Sequence, residues 1–573
     1  MPKTRSRFPS TAAAVLLGAC ALLLTTCLVR ADDSISMRAQ KFVNAHVAKL
    51  RPLEKAAAVA WWDANVSGKD EDFKRKEETQ NQIDAALADP AAFAEVKAIR
   101  EAGGIADPLL KRELDVLYLA YLEKQVDPVL LRKIVQVSNG IEKAFNVFRA
   151  RVDGKELTDN DLRKVLKESK SSESRRKAWE AGKAVGSVVE RDLIALVKLR
   201  NQAATTLGFK NYQVLQFFLN EQDEDAVLKL FKELDEMTRG PFQAAKAELD
   251  GLLAKNCGIS TSELRPWHYH DPFFQECPAV FGASLDSLYA SADILKLCRV
   301  FYGGIGLPVD DVLGRSDLYE KPGKSPHAFC TDIDREGDVR VLANIVPNEE
   351  WMGTMLHELG HSVYSSKSIP TNVPYVLRME SHILTTEGLA MMFERLSKSV
   401  PWQRAMDVAP REPEEQRQIS RVGAKLLRDR LLIFSRWCQV MLHFEKGLYE
   451  NPDQDLNKLW WDLVEKHQMV HRPEGRNAPD YASKIHIVVA PVYYHNYMMG
   501  ELFASQVHHA ICREVLRGAA PSSVGYVGNP AVGDFLRKRV IEPGRTLDWK
   551  ELTRYATGED LNPKAFAADF MGD

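Results

Sequence analysis

Between Asp32 and Gly258 apolar residues recur at intervals of three and four, Ala, Leu, Lys and Glu dominate, and Pro and Gly are sparse. That spacing predicts an almost continuous series of amphipathic helices. Residues 39–53, 111–124, 128–148 and 190–207 each supply one or two of them. Residues 158–168 open with a start signal, Thr158 as cap and Asp159 and Asp161 acidifying the first turn. The pattern loosens over residues 257–326. There the Pro-bounded run Arg265-Pro266-Trp267-His268-Tyr269-His270-Asp271-Pro272 predicts a loop that either lines a site or folds its aromatics onto the core. The period then changes: Ala328–Ile333 and Val339–Ile345 alternate around Asp334-Arg335-Glu336-Gly337-Asp338, a β-hairpin pattern. Helical spacing returns at residues 347–394 and continues through 415–449, 456–471 and a last long helix over about 492–516. The chain therefore reads as all-α, with one short hairpin next to its best-marked helix.

That helix carries His357-Glu358-Leu359-Gly360-His361. Positions i and i+4 share one helical face, so both imidazoles can reach a single metal ion, and Glu358 is close enough to hold an attacking water. Asn348 is the candidate cap, Glu349 and Glu350 suit the positive end, and no proline intervenes before Pro370. The bland alternative is a helix whose histidines only pack. Against it stands Thr386-Glu387-Gly388-Leu389-Ala390, which puts a carboxylate 26 residues after His361. Two histidines and a glutamate leave a fourth zinc position open. Glu380, 19 residues after His361, is the rival third ligand. Further on, Lys484, His486, Tyr494 and Tyr497 cluster, and Tyr494 and Tyr497 fall on one side of a helix.

Composition changes this picture little. The 573 residues are 45% hydrophobic and 27% charged, ample for a large core, with no repeat or linker dividing them. The net charge is −3 even though residues 1–31 carry four cations and no acid, and so acidic a body argues against a nucleic-acid partner. Lys3, Arg5 and Arg7 precede the uncharged run 11–29 and the small residues at Val29-Arg30-Ala31. This reads as an export signal ending at residue 31, with residues 32–573 as one domain. The run is also long enough for an uncleaved membrane anchor, and Leu17-Gly18-Ala19-Cys20 resembles a lipoprotein box. All three readings put the body outside the cytoplasm, in the periplasm or the extracellular space. The six cysteines beyond the signal are too scattered to be a disulfide framework.

Taken together, these residues resemble the angiotensin-converting enzyme family of zinc gluzincin peptidyl-dipeptidases. The resemblance runs through Arg176-Lys177-Ala178-Trp179-Glu180, His327-Ala328, the HELGH helix, Glu387, Trp460-Trp461-Asp462, Lys484-Ile485-His486, Tyr494-x-x-Tyr497 and His508-His509-Ala510, in the family's order. It implies a helical ellipsoid of two subdomains around a deep groove, with N-terminal helices as a lid. It implies that His357, His361 and Glu387 bind one zinc ion and that Glu358 is the general base. By the same resemblance His486 and Tyr497 stabilise the oxyanion, Lys484 and Tyr494 hold the C-terminal carboxylate of a short peptide, and His327 and Ala328 hold its backbone. Tyr269 would stand where the family has a carboxylate-binding glutamine. Val464 and His495-Asn496 replace arginines of the chloride-dependent members, so activity is expected without chloride. The rivals are a zinc oligopeptidase of the thimet type, which cuts internal bonds, and an exported peptide-binding protein without catalysis.

Overall fold

The computed structural model describes residues 12–278, 280–281 and 285–570, with side chains from Ser34 onward. The export signal expected over residues 1–31 lies outside the residues whose side chains are described. Among the described residues no helix is long and apolar enough to cross a membrane.

The helical fraction is 69% and the only strands among the described residues form two antiparallel hairpins, so the fold is all-α. At the N-terminal side α1 (Ala12–Ser67), α2 (Asp70–Leu87), α3 (Pro90–Ala102) and α4 (Pro108–Glu123) follow one another. Just before Pro90 and Pro108, Asp89 accepts the Ala91 and Ala92 N–H groups and Asp107 the Leu109 N–H, which satisfies donors the helix leaves open. These helices share their own apolar cluster, including Val43, Val96, Ile99, Leu114 and Leu117, and it extends to Val376 and Leu377.

The helical run has one interruption that its periodicity does not announce. Strands β1 (Ala150–Val152) and β2 (Lys155–Leu157) form a hairpin. Its turn is Asp153-Gly154, both at positive φ (49° and 80°), the two-residue chemistry that a right-handed hairpin favours. The next helix starts at Asp159 with the expected cap: Thr158 accepts from Asp161 N–H and Asp161 reaches back to Thr158.

The expected second hairpin is present. Strand β3 (Phe329–Asp332) pairs with β4 (Val339–Leu342), Phe329 opposite Leu342 and Asp332 opposite Val339. Trp62 of α1 packs on it together with Ile333 and Leu342, so the N-terminal helices are tied to this hairpin. The histidine helix (Glu349–Val363) follows, and the Asn348 side chain accepts from Trp351 N–H at 2.8 Å. The glutamate helix (Ile383–Glu394) packs between it and the tyrosine helix (Tyr494–Glu514). Two glycines allow this closeness. A Cβ on Gly360 would lie 2.8 Å from Ala390 Cα, and one on Gly388 2.7 Å from the Gly500 carbonyl oxygen. The glycine of HELGH and the glycine after Glu387 are thus packing requirements as well as parts of a motif.

The loop rich in aromatics and histidine packs inward. Trp267, His268, Tyr269, His270 and Asp271 are all buried. The Arg175 guanidinium donates to the His268 carbonyl, and Trp179 Nε1 to the Pro272 carbonyl. The six cysteines of the described body, Cys257, Cys277, Cys298, Cys330, Cys438 and Cys512, are free thiols.

Candidate active site

A cavity of about 1100 Å³ runs between β3, the histidine and glutamate helices, and the tyrosine helix. Residues as distant in sequence as Gln275, Ala328, Glu358, Glu387, Arg430, His486 and Tyr497 line it.

On its floor the ligand atoms of His357, His361 and Glu387 lie within 4.8 Å of one another. The two Nε2 atoms are 3.1 Å apart, and Glu387 Oε2 is 3.6 Å from the first and 3.9 Å from the second. A tetrahedral zinc ion with bonds of about 2.0–2.2 Å calls for edges of about 3.3–3.6 Å, so the triangle fits one. The opposite ring atoms are fixed: His357 Nδ1 by Glu394 Oε2 at 3.1 Å and His361 Nδ1 by Thr386 Oγ1 at 2.7 Å. That outer bonding turns each Nε2 toward the centre. Glu394 is itself anchored by Arg430 at 2.5 Å.

The electrostatics also call for a cation. Burial opposes charge on His357, yet Glu394, Glu358 and Glu387 outweigh it and raise the imidazole to about 9. A buried nest of carboxylates that forces a proton onto an imidazole is satisfied better by a divalent ion, which leaves the ring neutral. Burial, with Glu387 and Glu394 nearby, lifts the Glu358 carboxyl to about 7, against the pull of His357 and of the Cys330 N–H it accepts. Glu380 lines the same cavity wall but does not join the cluster.

His486 and Tyr497 also line the cavity. Burial beside Lys484 lowers His486 to about 4, so the ring is neutral, and its Nδ1 has no hydrogen-bond partner. Burial raises Tyr497 to about 12, which keeps its proton available for donation.

The remaining predicted residues fall in two places. Ala328 lines the cavity, whereas the neighbouring His327 side chain is exposed and does not. Tyr494 lines it, and Lys484 is buried behind, 5.3 Å from the centre of the Tyr494 ring. Burial lowers Lys484 to about 8, although Asp271 works against the shift. The expectation for Tyr269 is corrected. Its hydroxyl donates to Asp250 at 2.9 Å and accepts from Lys246 at 2.7 Å, inside the protein and away from the cavity. Gln275 is the residue in position: it lines the cavity, and its Oε1 accepts from Lys484 Nζ at 2.6 Å. Two positive-φ residues, His270 and Phe274, redirect the loop between Tyr269 and Gln275, and spacing alone does not reveal such turns.

Two helices that present a His₂Glu set and a carboxylate base in a deep cavity define a zinc metallopeptidase of the gluzincin type. The comparisons agree. The family model described as angiotensin-converting enzyme matches residues 34–238, and that described as peptidase family M3 matches residues 313–572. An angiotensin-converting enzyme from Theromyzon tessulatum is 20% identical over 521 residues, covering 84% of this chain and 83% of that protein. Through these matches the chain is similar to the angiotensin-converting-enzyme-like gluzincin metallopeptidases.

Proposed function

We propose that this protein is a peptidyl-dipeptidase, which removes dipeptides from the free C-terminus of short peptides outside the cytoplasm. The observation that carries this reading is that Gln275 and Tyr494 line the cavity with Lys484 buried directly behind them, hydrogen-bonded to Gln275: an amide, a phenol and an ammonium, which suit a carboxylate. A peptidase of internal bonds has no use for a buried cation there.

His357, His361 and Glu387 would hold a zinc ion, which would supply Lewis acidity and lower the pKa of a bound water toward neutral. Glu358 takes the proton of the attacking water, and a carboxyl raised by burial suits that task. Glu358 then delivers the proton to the leaving amine. Tyr497 and the neutral His486 donate hydrogen bonds to the developing oxyanion. Ala328 and β3 offer the peptide a strand edge, because among the described residues β3 pairs only with β4.

We also expect activity without chloride. Val464 is buried and aliphatic, and His495 and Asn496 are both engaged by Gln222, at 2.7 Å each. The cation that shares a small cavity with Val464 is Lys183, which burial lowers to about 7, so it is a poor anchor for a permanent anion. Equal rates in chloride and in acetate buffers are the expected result, and strong activation by chloride would contradict it.

The test of the main reading is mass spectrometry of products from the zinc-loaded protein and a peptide of about ten residues. Successive loss of C-terminal dipeptides, blocked when the C-terminus is amidated, is expected. Internal cuts indifferent to amidation would move the protein to the oligopeptidase reading, and no cleavage with zinc bound would favour a binding protein.

A further inference from the structure

The carboxylate clamp rests on a loop with no regular secondary structure, and one buried residue organises that loop. Asp271 is 3% exposed. Its Oδ1 accepts two backbone N–H groups, from Phe273 and from Gln275, at 2.9 Å each. The neighbouring peptide units are held from the other side. Trp179 Nε1 donates to the Pro272 carbonyl, and the Gln468 amide donates to the carbonyls of Phe273 and Phe274 at 2.9 and 2.8 Å. Every residue from Pro272 to Gln275 thus has its backbone tied to a buried side chain, and Gln275 is the one whose side chain turns into the cavity.

The second oxygen of Asp271 is buried without a hydrogen-bond partner. A carboxylate oxygen in that state is costly unless nearby cations compensate it. The charged groups that sense Asp271 are Lys484, Lys183, Arg163 and Glu276. Lys484 and Lys183 are buried. Lys484 donates one hydrogen bond to Gln275 and lies over the rings of Phe273, Trp437 and Tyr494.

We propose that Asp271 is a positioning residue of the C-terminal carboxylate clamp, fixing the backbone that aims Gln275 into the cavity and supplying a counter-charge to Lys484. It touches neither the substrate nor the reacting atoms, and it is not among the residues that line the cavity. This inference rests on the peptidyl-dipeptidase reading.

The test compares kcat and KM for one peptide with a free C-terminal acid and for the same peptide as its amide. Asp271→Asn keeps an oxygen for the two N–H groups and removes the charge, and Asp271→Ala removes both. For the free acid, KM rises about tenfold in Asp271→Asn and about a hundredfold in Asp271→Ala, each tenfold being about 1.4 kcal/mol, with kcat within about twofold. The poorer cleavage of the amide stays unchanged in both. Zinc content and melting temperature establish that each variant is folded. If Asp271→Asn does not fold, Asp271→Glu keeps the charge but displaces the acceptor, and a several-fold rise in KM for the acid alone is expected. Folded variants that affect acid and amide equally, or affect neither, overturn the role of Asp271 while leaving the clamp. A wild-type enzyme that cuts acid and amide alike overturns the clamp itself and the role of Asp271 with it.

Discussion

The metal cradle and the carboxylate clamp share one cavity but are built in opposite ways. The cradle comes from one continuous stretch, residues 349–394, in which two capped helices pack on each other through Gly360 and point every ligand by helical geometry. The clamp gathers Gln275 from a loop, Lys484 from the end of a short turn of helix and Tyr494 from the start of the tyrosine helix. The cradle is anionic and defines the chemistry. The clamp is cationic and, on the proposed function, would define where a peptide is cut. Losing a cradle residue should therefore abolish turnover on all substrates, whereas losing a clamp residue should abolish only a preference.

The largest effect sits in the cradle. Glu358→Gln should bind zinc normally and lose about 10³-fold or more in kcat, since a positioned general base contributes about 10²–10⁴. Zinc-replete Glu358→Gln protein with near-normal turnover would remove Glu358 from its role. Tyr497→Phe should cost about 10²–10³ in kcat, the value of one oxyanion donor, equally for free and amidated peptides. An effect confined to KM would move Tyr497 into the clamp. Glu394→Gln sharpens the cradle's outer layer. By turning off the carboxylate behind His357 Nδ1, it should weaken zinc binding about 10–100-fold, measured by competition with a chelator. Unchanged zinc affinity would mean that Glu394 only balances Arg430. The smallest effect is one of pH. Lys484 is lowered to about 8, so its charge is present below that pH and fades above it. The kcat/KM for free-acid peptides should therefore fall several-fold between about pH 7.5 and 9 relative to amidated peptides. Parallel profiles for the two would contradict the assignment.

The same contrast decides what the sequence reveals. The histidine helix, its Asn348 cap, the β3–β4 hairpin and the Glu387 helix follow from local periodicity and turn chemistry, and each is where those signals put it. The β1–β2 hairpin carried its own signal, Asp153-Gly154, but three-residue strands are too short to interrupt a helical reading. The loop at 265–275 has no period, so nothing local says which side chain faces the cavity. Tyr269 is taken up by Lys246 and Asp250, and only the turns at His270 and Phe274 bring Gln275 to Lys484. Glu394 is legible as the end of a helix but not as the partner of His357, because that pairing depends on the angle between two helices.

The most direct measurement of the account is the ratio of kcat/KM for a free-acid peptide to that for its amide, in the wild-type enzyme and in Lys484→Met. The account predicts a ratio of about a hundred or more in the wild type, the value of a charge-assisted pair of about 3 kcal/mol, and a ratio near one in Lys484→Met with zinc fully retained. A wild-type ratio near one, or a ratio that survives Lys484→Met, would contradict the claim that this end of the cavity grips the C-terminal carboxylate.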